Sequence, residues 1–395
     1  MFRAVTSFSM WLPFWTLWAY QKIDDFFLLT VVDAAFWTTM IVFQVPTGLL
    51  GDKYGRKPML FIGEVLFAVG VLLFGLSNEF WELLLSNVAW AVGVCFIVSG
   101  DTPFLYDTLV ELKRAKEFIG VMARGWYVMG LMNAVACVTG GLLVEYVFPG
   151  RIELTLLFSA VIGISGSFVA LLLREPKVDR TQFSSYKKQL SVGWKHVIST
   201  KAILVLILFQ IVIEIAAYVM AVFRSVYMNE DLDLSYIQIG GFFATFALFG
   251  AFIAVKAGQI EQRLGEKGSL LFLLMAILVS FSVVFLVESP IAILVQYPMY
   301  AVGYLQAPII AGYINKRVDS AHRSTIVAIS SLLFTLLLTL VELPAGWVAS
   351  DWGVRNTMMA LALAVMPVGL YLLVIWNREV DAGVPTDSTH IAKDL

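Results

Sequence analysis

Charge is what this 395-residue chain has least of: Asp, Glu, Lys and Arg together make up 14% of it, against roughly a quarter in soluble globular proteins. The formal net charge of −2 offers little to a polyanion, so no nucleic-acid partner is expected. The chain has only two cysteines and three histidines. Cys95 and Cys137 lie inside apolar runs, which argues against a disulfide framework. His196, His322 and His390 fall in connecting segments or the tail, a poor set for holding a metal. There is no Gly-rich phosphate loop and no paired-His helix. Neither a cofactor nor an enzyme site is therefore expected, and uphill work would need an ion or solute gradient. No A-x-A-like cleavage site follows the first apolar run.

What fills the chain instead is apolar: 59% of residues, with a mean hydropathy of +0.84. Continuous runs of ~20 apolar residues recur along the whole length, the signature of helices that cross a bilayer. They do not alternate as barrel strands do. The expected architecture is an all-α polytopic membrane protein with twelve spans, at about 3–21, 26–50, 58–76, 80–107, 118–144, 153–173, 202–226, 236–258, 268–287, 290–313, 324–348 and 354–377. The one long polar stretch, 174–201, carries Arg174, Lys177, Arg180, Lys187, Lys188, Lys195 and Lys201 against Glu175 and Asp179. It reads as a basic linker between an N-terminal bundle (1–173) and a C-terminal bundle (202–377), with a short polar tail over 378–395.

Alternate connections hold most of the bases: Lys53, Arg56 and Lys57; Lys113, Arg114 and Lys116; the linker; Arg263 and Lys267; Lys316, Arg317 and Arg323. The intervening ones lean acidic, with Arg151, Arg224 and Arg355 as single exceptions. Positive charge is retained on the cytoplasmic side, so both termini and the linker are expected there, in a cytoplasmic membrane.

The stretch Gly48-Leu49-Leu50-Gly51-Asp52-Lys53-Tyr54-Gly55-Arg56-Lys57-Pro58 reads as a charged, glycine-hinged loop between two spans. With Val45-Pro46-Thr47 before it, the pattern G-x-x-x-D-x-x-G-R-K resembles the signature loop after the second helix of the major facilitator superfamily of secondary transporters. A shift of 210 positions lays Gly48 on Gly258, Lys53 on Arg263, Gly55 on Gly265 and Lys57 on Lys267, while Asp52 meets Gln262 and Arg56 meets Glu266. That is a degenerate second copy, and parallel repeats are one of the known transporter plans. The resemblance implies two pseudo-symmetric six-helix bundles that rock about a shared cavity by alternating access. It also implies a gate in which Asp107, near the end of span four, pairs with Arg56 while Asp52 sits against a helix end of the other half.

Ionisable residues inside spans are the strongest chemical signal. Each costs about 2.5–3.5 kcal/mol at a helix centre, whereas a central leucine returns only about 0.3–0.6 kcal/mol. The candidates are Asp33, Glu64, Asp101, Asp107, Arg124, Glu214 and Glu342. Asp101 and Arg124 stand on adjacent spans, where an ion pair between them is geometrically allowed, either as a packing device or as part of a binding site. Glu214 is mid-span in the seventh helix, which in the resemblance lines the cavity, and suits a proton or a cationic solute. Asp33 and Glu342 fall on spans two and eleven, which face each other in that fold, as gate or proton groups or as cavity wall. Glu64 is read as a structural contact. Tyr127, Tyr218 and Tyr304 are aromatic candidates for flat or cationic solutes, and Gln306 is a hydrogen-bonding one.

Glycines on spans five (Gly130, Gly140, Gly141) and eight (Gly240, Gly241, Gly250, Gly258) allow close helix approach. Phrases such as Ser99-Gly100-Asp101 with Leu105-Tyr106-Asp107 look like those of bacterial efflux-type permeases. Span five lacks the Gly-Pro pair of the antiporter signature, span four lacks the usual arginine, and span one carries no acid. The expected function is proton-coupled export of a small organic solute. A nutrient importer of the same fold and a non-transporting receptor stand as alternatives, and nothing demands more than a monomer.

Overall fold

A computed structural model describes residues 2–177, 200–317 and 323–381. The central part of the expected basic linker, the three histidines and most of the tail lie outside the described residues. Among the described residues the chain is helical, with no strand. The helices are α1 (Phe2–Thr6), α2 (Trp15–Ile23), α3 (Phe26–Tyr54), α4 (Arg56–Leu76), α5 (Phe80–Glu111), α6 (Phe118–Leu142) and α7 (Glu153–Leu172). They continue as α8 (Lys201–Val226), α9 (Tyr236–Val255), α10 (Ala257–Leu286), α11 (Gln296–Asn315) and α12 (Arg323–Asp381).

Nine helices among the described residues are long and apolar enough to cross a membrane. The other expected spans fall on stretches that are broken, merged or less apolar, such as α11 with Gln296, Gln306 and Asn315. The first span is broken: α1 and α2 are separated by an irregular stretch that contains Pro13. Span ten begins as a tight helical turn, Pro290–Val295, before α11. Spans eleven and twelve merge into α12, which turns a corner at Gly353.

Three reversals use one device. Gly55 (φ 104, ψ 165), Gly265 (φ 66, ψ −179) and Gly353 (φ 79, ψ 165) each occupy a backbone region open essentially to glycine alone. Helix therefore runs right up to the corner on both sides. The signature stretch is not a loop: α3 continues through Asp52 and Lys53 to Tyr54, and one glycine makes the turn. The second copy behaves alike, with α10 helical over the predicted loop and bent only at Gly265.

The chain forms two compact units. The first comprises Met1–Phe183, Val222–Leu248 and Glu342–Ser350. In it α4 and α5 pack antiparallel so closely that a β-carbon at Gly63, Gly70, Gly93 or Gly100 would strike Ile97, Trp90, Phe67 or Leu60 of the facing helix. Small residues at such contacts are how apolar helices associate in lipid, where burial alone drives nothing. Trp90 then collects edge contacts from Trp11, Phe36, Phe67 and Phe74. The expected approach of spans five and eight is also found here. Gly141 lies against the backbone of Tyr236 and Ile237, and Gly240 against the Cys137 carbonyl. By contrast, Gly130 and Gly241 have open space beside them.

The second unit comprises Ser184–Ala221, Phe249–Val341 and Asp351–Leu395. Leu270, Leu273, Leu274, Ile277 and Phe281 form the buried face of α10. Gly369 of α12 fits against Leu274, and Gly250 against the ring of Tyr304. Tyr313 stacks on Trp376 at 6.2 Å between centroids.

Candidate functional site

The first unit brings Asp33 and Glu342 together. Both carboxyls are buried, with residue exposures of 3% and 0%, and they interact with each other. The seam that joins them is built one helical turn at a time. Ser350 Oγ accepts from the Phe27 N–H at 2.9 Å and donates to Asp25 Oδ1 at 3.2 Å. One turn on, Gly346 packs so tightly on Thr30 that a β-carbon would collide with Thr30 Oγ1 and lie 2.9 Å from the Phe26 carbonyl. One turn further, Asp33 meets Glu342. Residues three and four apart share a helix face, so Phe27, Thr30 and Asp33 of α3 match Ser350, Gly346 and Glu342 of α12. Neither Glu342 oxygen has a conventional hydrogen-bond partner among the described residues. A buried acid facing another acid is costly unless the pair holds a proton or a cation.

The signature residues are organised around an irregularity in α5. Pro103 has no N–H, which leaves the Ser99 carbonyl one turn earlier without its helical donor. Arg56 supplies one: Nη1 donates to the Ser99 carbonyl at 3.2 Å, while Nη2 pairs with Asp52. Gly51 gives the guanidinium room, since a β-carbon there would lie 2.7 Å from Nη1. Thr47, one turn before Gly51, bonds Ser99 Oγ at 2.9 Å. Asp107 is half-buried on α5, one turn past Pro103. Gly48 has nothing within van der Waals reach of an added β-carbon.

Sequence reasoning missed Glu175. Its two carboxylate oxygens accept from the Arg56 and Lys57 N–H groups at 2.8 and 2.6 Å. The first turn of α4 is basic, the wrong sign for a helix N-terminus, and Glu175 provides the missing negative charge. The acid stands in the segment that reads as linker, where nothing in its spacing marks it.

The expected ion pair of Asp101 with Arg124 is not what the structure contains. Asp101 pairs with Arg3, whose Nη2 lies 2.7 Å from Oδ2 and Nε 3.3 Å from Oδ1, and Arg124 is exposed. The break after α1 places Arg3 beside Gly125, against which its guanidinium rests at 3.0 Å from an added β-carbon. Arg3→Ala should therefore lower the unfolding free energy by about 1–3 kcal/mol, while Arg124→Ala leaves the melting temperature unchanged in detergent. Equal melting temperatures for the two variants would contradict the pairing. Glu64 lies buried beside Gly166 at 2% exposure.

Arg224, counted from sequence among connecting charges, is buried at 4% with its guanidinium 5.8 and 6.0 Å from the rings of Phe243 and Phe246. Tyr127 is exposed on α6. Outside the spans, the Arg114 guanidinium hydrogen-bonds Glu117 and holds its carboxyl below the usual range. That pair favours the fold at neutral pH and loses its effect as pH falls through the carboxylate range. It is fully exposed, so its weight is small.

The second unit holds the remaining candidates. Glu214 is half-buried, next to Gln210 one turn away on α8. Tyr218, one turn on, meets Phe334 edge to face. Tyr304 stacks on Tyr300 at 5.8 Å, and Gln306 is buried with its Oε1 unpartnered among the described residues.

Comparison with known proteins gives this arrangement its class. The sequence profile of the Major Facilitator Superfamily matches residues 1–341. The chain belongs to that superfamily of membrane transporters. It is 24% identical over 353 residues to multidrug resistance protein 1 of Bacillus subtilis, covering 87% of this chain and 86% of that one. It is 27% identical over 187 residues to the quinolone resistance protein NorA of Staphylococcus aureus, covering 46% and 45%. A 118-residue stretch is 32% identical to the inner membrane transport protein YajR of Escherichia coli, 29% of this chain but only 24% of that protein.

Among solved structures, a bacterial homologue of the human lysosomal transporter Spinster, inward-facing and occupied, superposes with a TM-score of 0.75 at 14% identity, covering 95% of each chain. The nucleoside transporter NupG superposes with a TM-score of 0.74 at 11% identity, covering 95% of this chain and 97% of that one. These likenesses establish the fold, an all-α polytopic membrane protein.

Proposed function

We propose that this chain exports a small organic solute across the cytoplasmic membrane in exchange for protons, by alternating access, with both termini on the cytoplasmic side. The observation that carries this reading is the buried pair of Asp33 and Glu342. Two carboxylates in contact and away from water repel, and one shared proton removes the repulsion. A group that must be loaded and unloaded belongs on a seam that opens, and this seam carries a hydroxyl network and a close glycine contact. The exporter direction draws on two relatives whose names speak of multidrug and quinolone resistance. The exposed Tyr127 and the Tyr300–Tyr304 stack are suited to flat aromatic solutes. Orientation follows from the bases of the alternate connections. Nothing in this reading requires more than a monomer.

The test uses purified protein in liposomes, with a fluorescent quinolone and a dye cation as probes. An imposed proton gradient should drive a probe against the proton flow, and an uncoupler should abolish its accumulation. Movement of solute with protons would make the chain an importer. Movement indifferent to the gradient would remove proton coupling altogether.

A further inference from the structure

The 210-residue repeat does more than align glycines. It lays Gly55 on Gly265, Arg56 on Glu266 and Asp107 on Arg317, so base faces acid at one position and acid faces base at the other. The structure joins the second set. Arg317 Nη2 donates to Glu266 Oε2 at 2.7 Å and Nη1 to Oε1 at 3.4 Å, a two-pronged pair. Its side chains are only 9% and 20% exposed. Arg317 also stands over Trp376 at 4.7 Å and donates to the Tyr313 carbonyl at 3.1 Å. Lys316 reaches both Glu266 and Glu261, at 3.5 and 3.7 Å, and Lys267 pairs with Asp381.

We infer that Glu266 and Arg317 are the second unit's gate pair, built at the signature positions with the two charges exchanged, and that they position that unit during transport. The exchange has a physical basis. The residue after each corner glycine opens a helix whose N–H groups need negative charge. At Arg56 the sign is wrong and Glu175 is brought in to correct it. At Glu266 the acid is already in place, and the complementary charge moves to the end of α11 as Arg317. In the first unit Arg56 is held by Asp52 and the Ser99 carbonyl, whereas in the second the corner residue Glu266 is tied directly to Arg317, just past α11. In this role Arg317 and Glu266 are positioning residues. The assignment rests on the transport reading, but its test needs no solute.

The experiment uses the full chain in membrane vesicles of both orientations, with Cys95→Ser and Cys137→Ser and a single reporter, Ala311→Cys, on the exposed side of α11. The readout is the rate of alkylation by a membrane-impermeant maleimide. Glu266→Arg and Arg317→Glu, each alone, should shift the rate from one side at least fivefold. The two together should return it to within about threefold of the parent, Lys316 falling back on Glu261. If either single variant does not reach the membrane folded, Glu266→Gln and Arg317→Gln take their place with the same expectation. A pair that only packs would lower the melting temperature and leave the labelling rate unmoved. That result, or a double reversal that fails to restore the rate, overturns the inference whatever the outcome of the proton-coupling test.

Discussion

Glu342→Gln is expected to cut proton-driven accumulation of a quinolone probe at least tenfold in liposomes, while solute-for-solute exchange across the same membrane persists. Glutamine keeps the shape and hydrogen-bonding capacity of a protonated glutamate but cannot release a proton. Burial of Glu342 at 0% and Asp33 at 3% leaves water no direct part in the exchange, so the pair must be reached by movement of the seam. Asp33→Asn should act in the same direction, and the double variant should be no worse than the more severe single one, because residues acting as a unit are not additive. Loss of exchange together with accumulation would instead mean that Glu342 holds the helices in place.

Gly346→Ala should be nearly as damaging for a different reason. The added methyl has no space: it would run into Thr30 Oγ1 and sit 2.8 Å from Thr30 Cγ2 and 2.9 Å from the Phe26 carbonyl. Overpacking of this kind costs about 1–3 kcal/mol. Here it also falls one turn from the acid pair, so separating α3 from α12 at Thr30 separates Asp33 from Glu342. Transport should drop at least tenfold and the melting temperature by several degrees. Thr30→Ala in the same chain should recover part of both losses, since it removes two of the three obstructing atoms and leaves the carbonyl. Full activity in Gly346→Ala, measured as quinolone accumulation per folded molecule, would show that the seam tolerates separation.

Much of this architecture is legible in the residues alone. Long apolar runs can only be helices in lipid, and the signature stretch with its degenerate copy carries the family. Asp33 and Glu342 were identifiable as acids in greasy surroundings, and the resemblance placed their spans face to face. The corners were harder. Charged residues from Asp52 to Tyr54 read as loop, yet helix ends tolerate charge and only Gly55 breaks the backbone.

Partners proved least legible, because spacing gives the face of one helix but not which residue of another meets it. Arg124 stands on the span next to that of Asp101, and span order goes no further. Arg3 takes that place because the first span breaks at Ser7 and frees α1 to lie across α6 and α7. Glu175 had no signal beyond a carboxylate shortly after a span, and its role appears only once the basic first turn of α4 is seen beside it.

The most direct test of the account is proton release on solute binding. Purified protein in weakly buffered detergent is mixed with a quinolone at a pH near neutrality, and the proton count is read from a pH dye. Wild type should release about one proton per molecule of solute bound, and the Asp33→Asn, Glu342→Gln double variant none, with binding itself retained. An unchanged proton count in the double variant would place the coupling proton elsewhere in the chain, and the account built on this acid pair would fall.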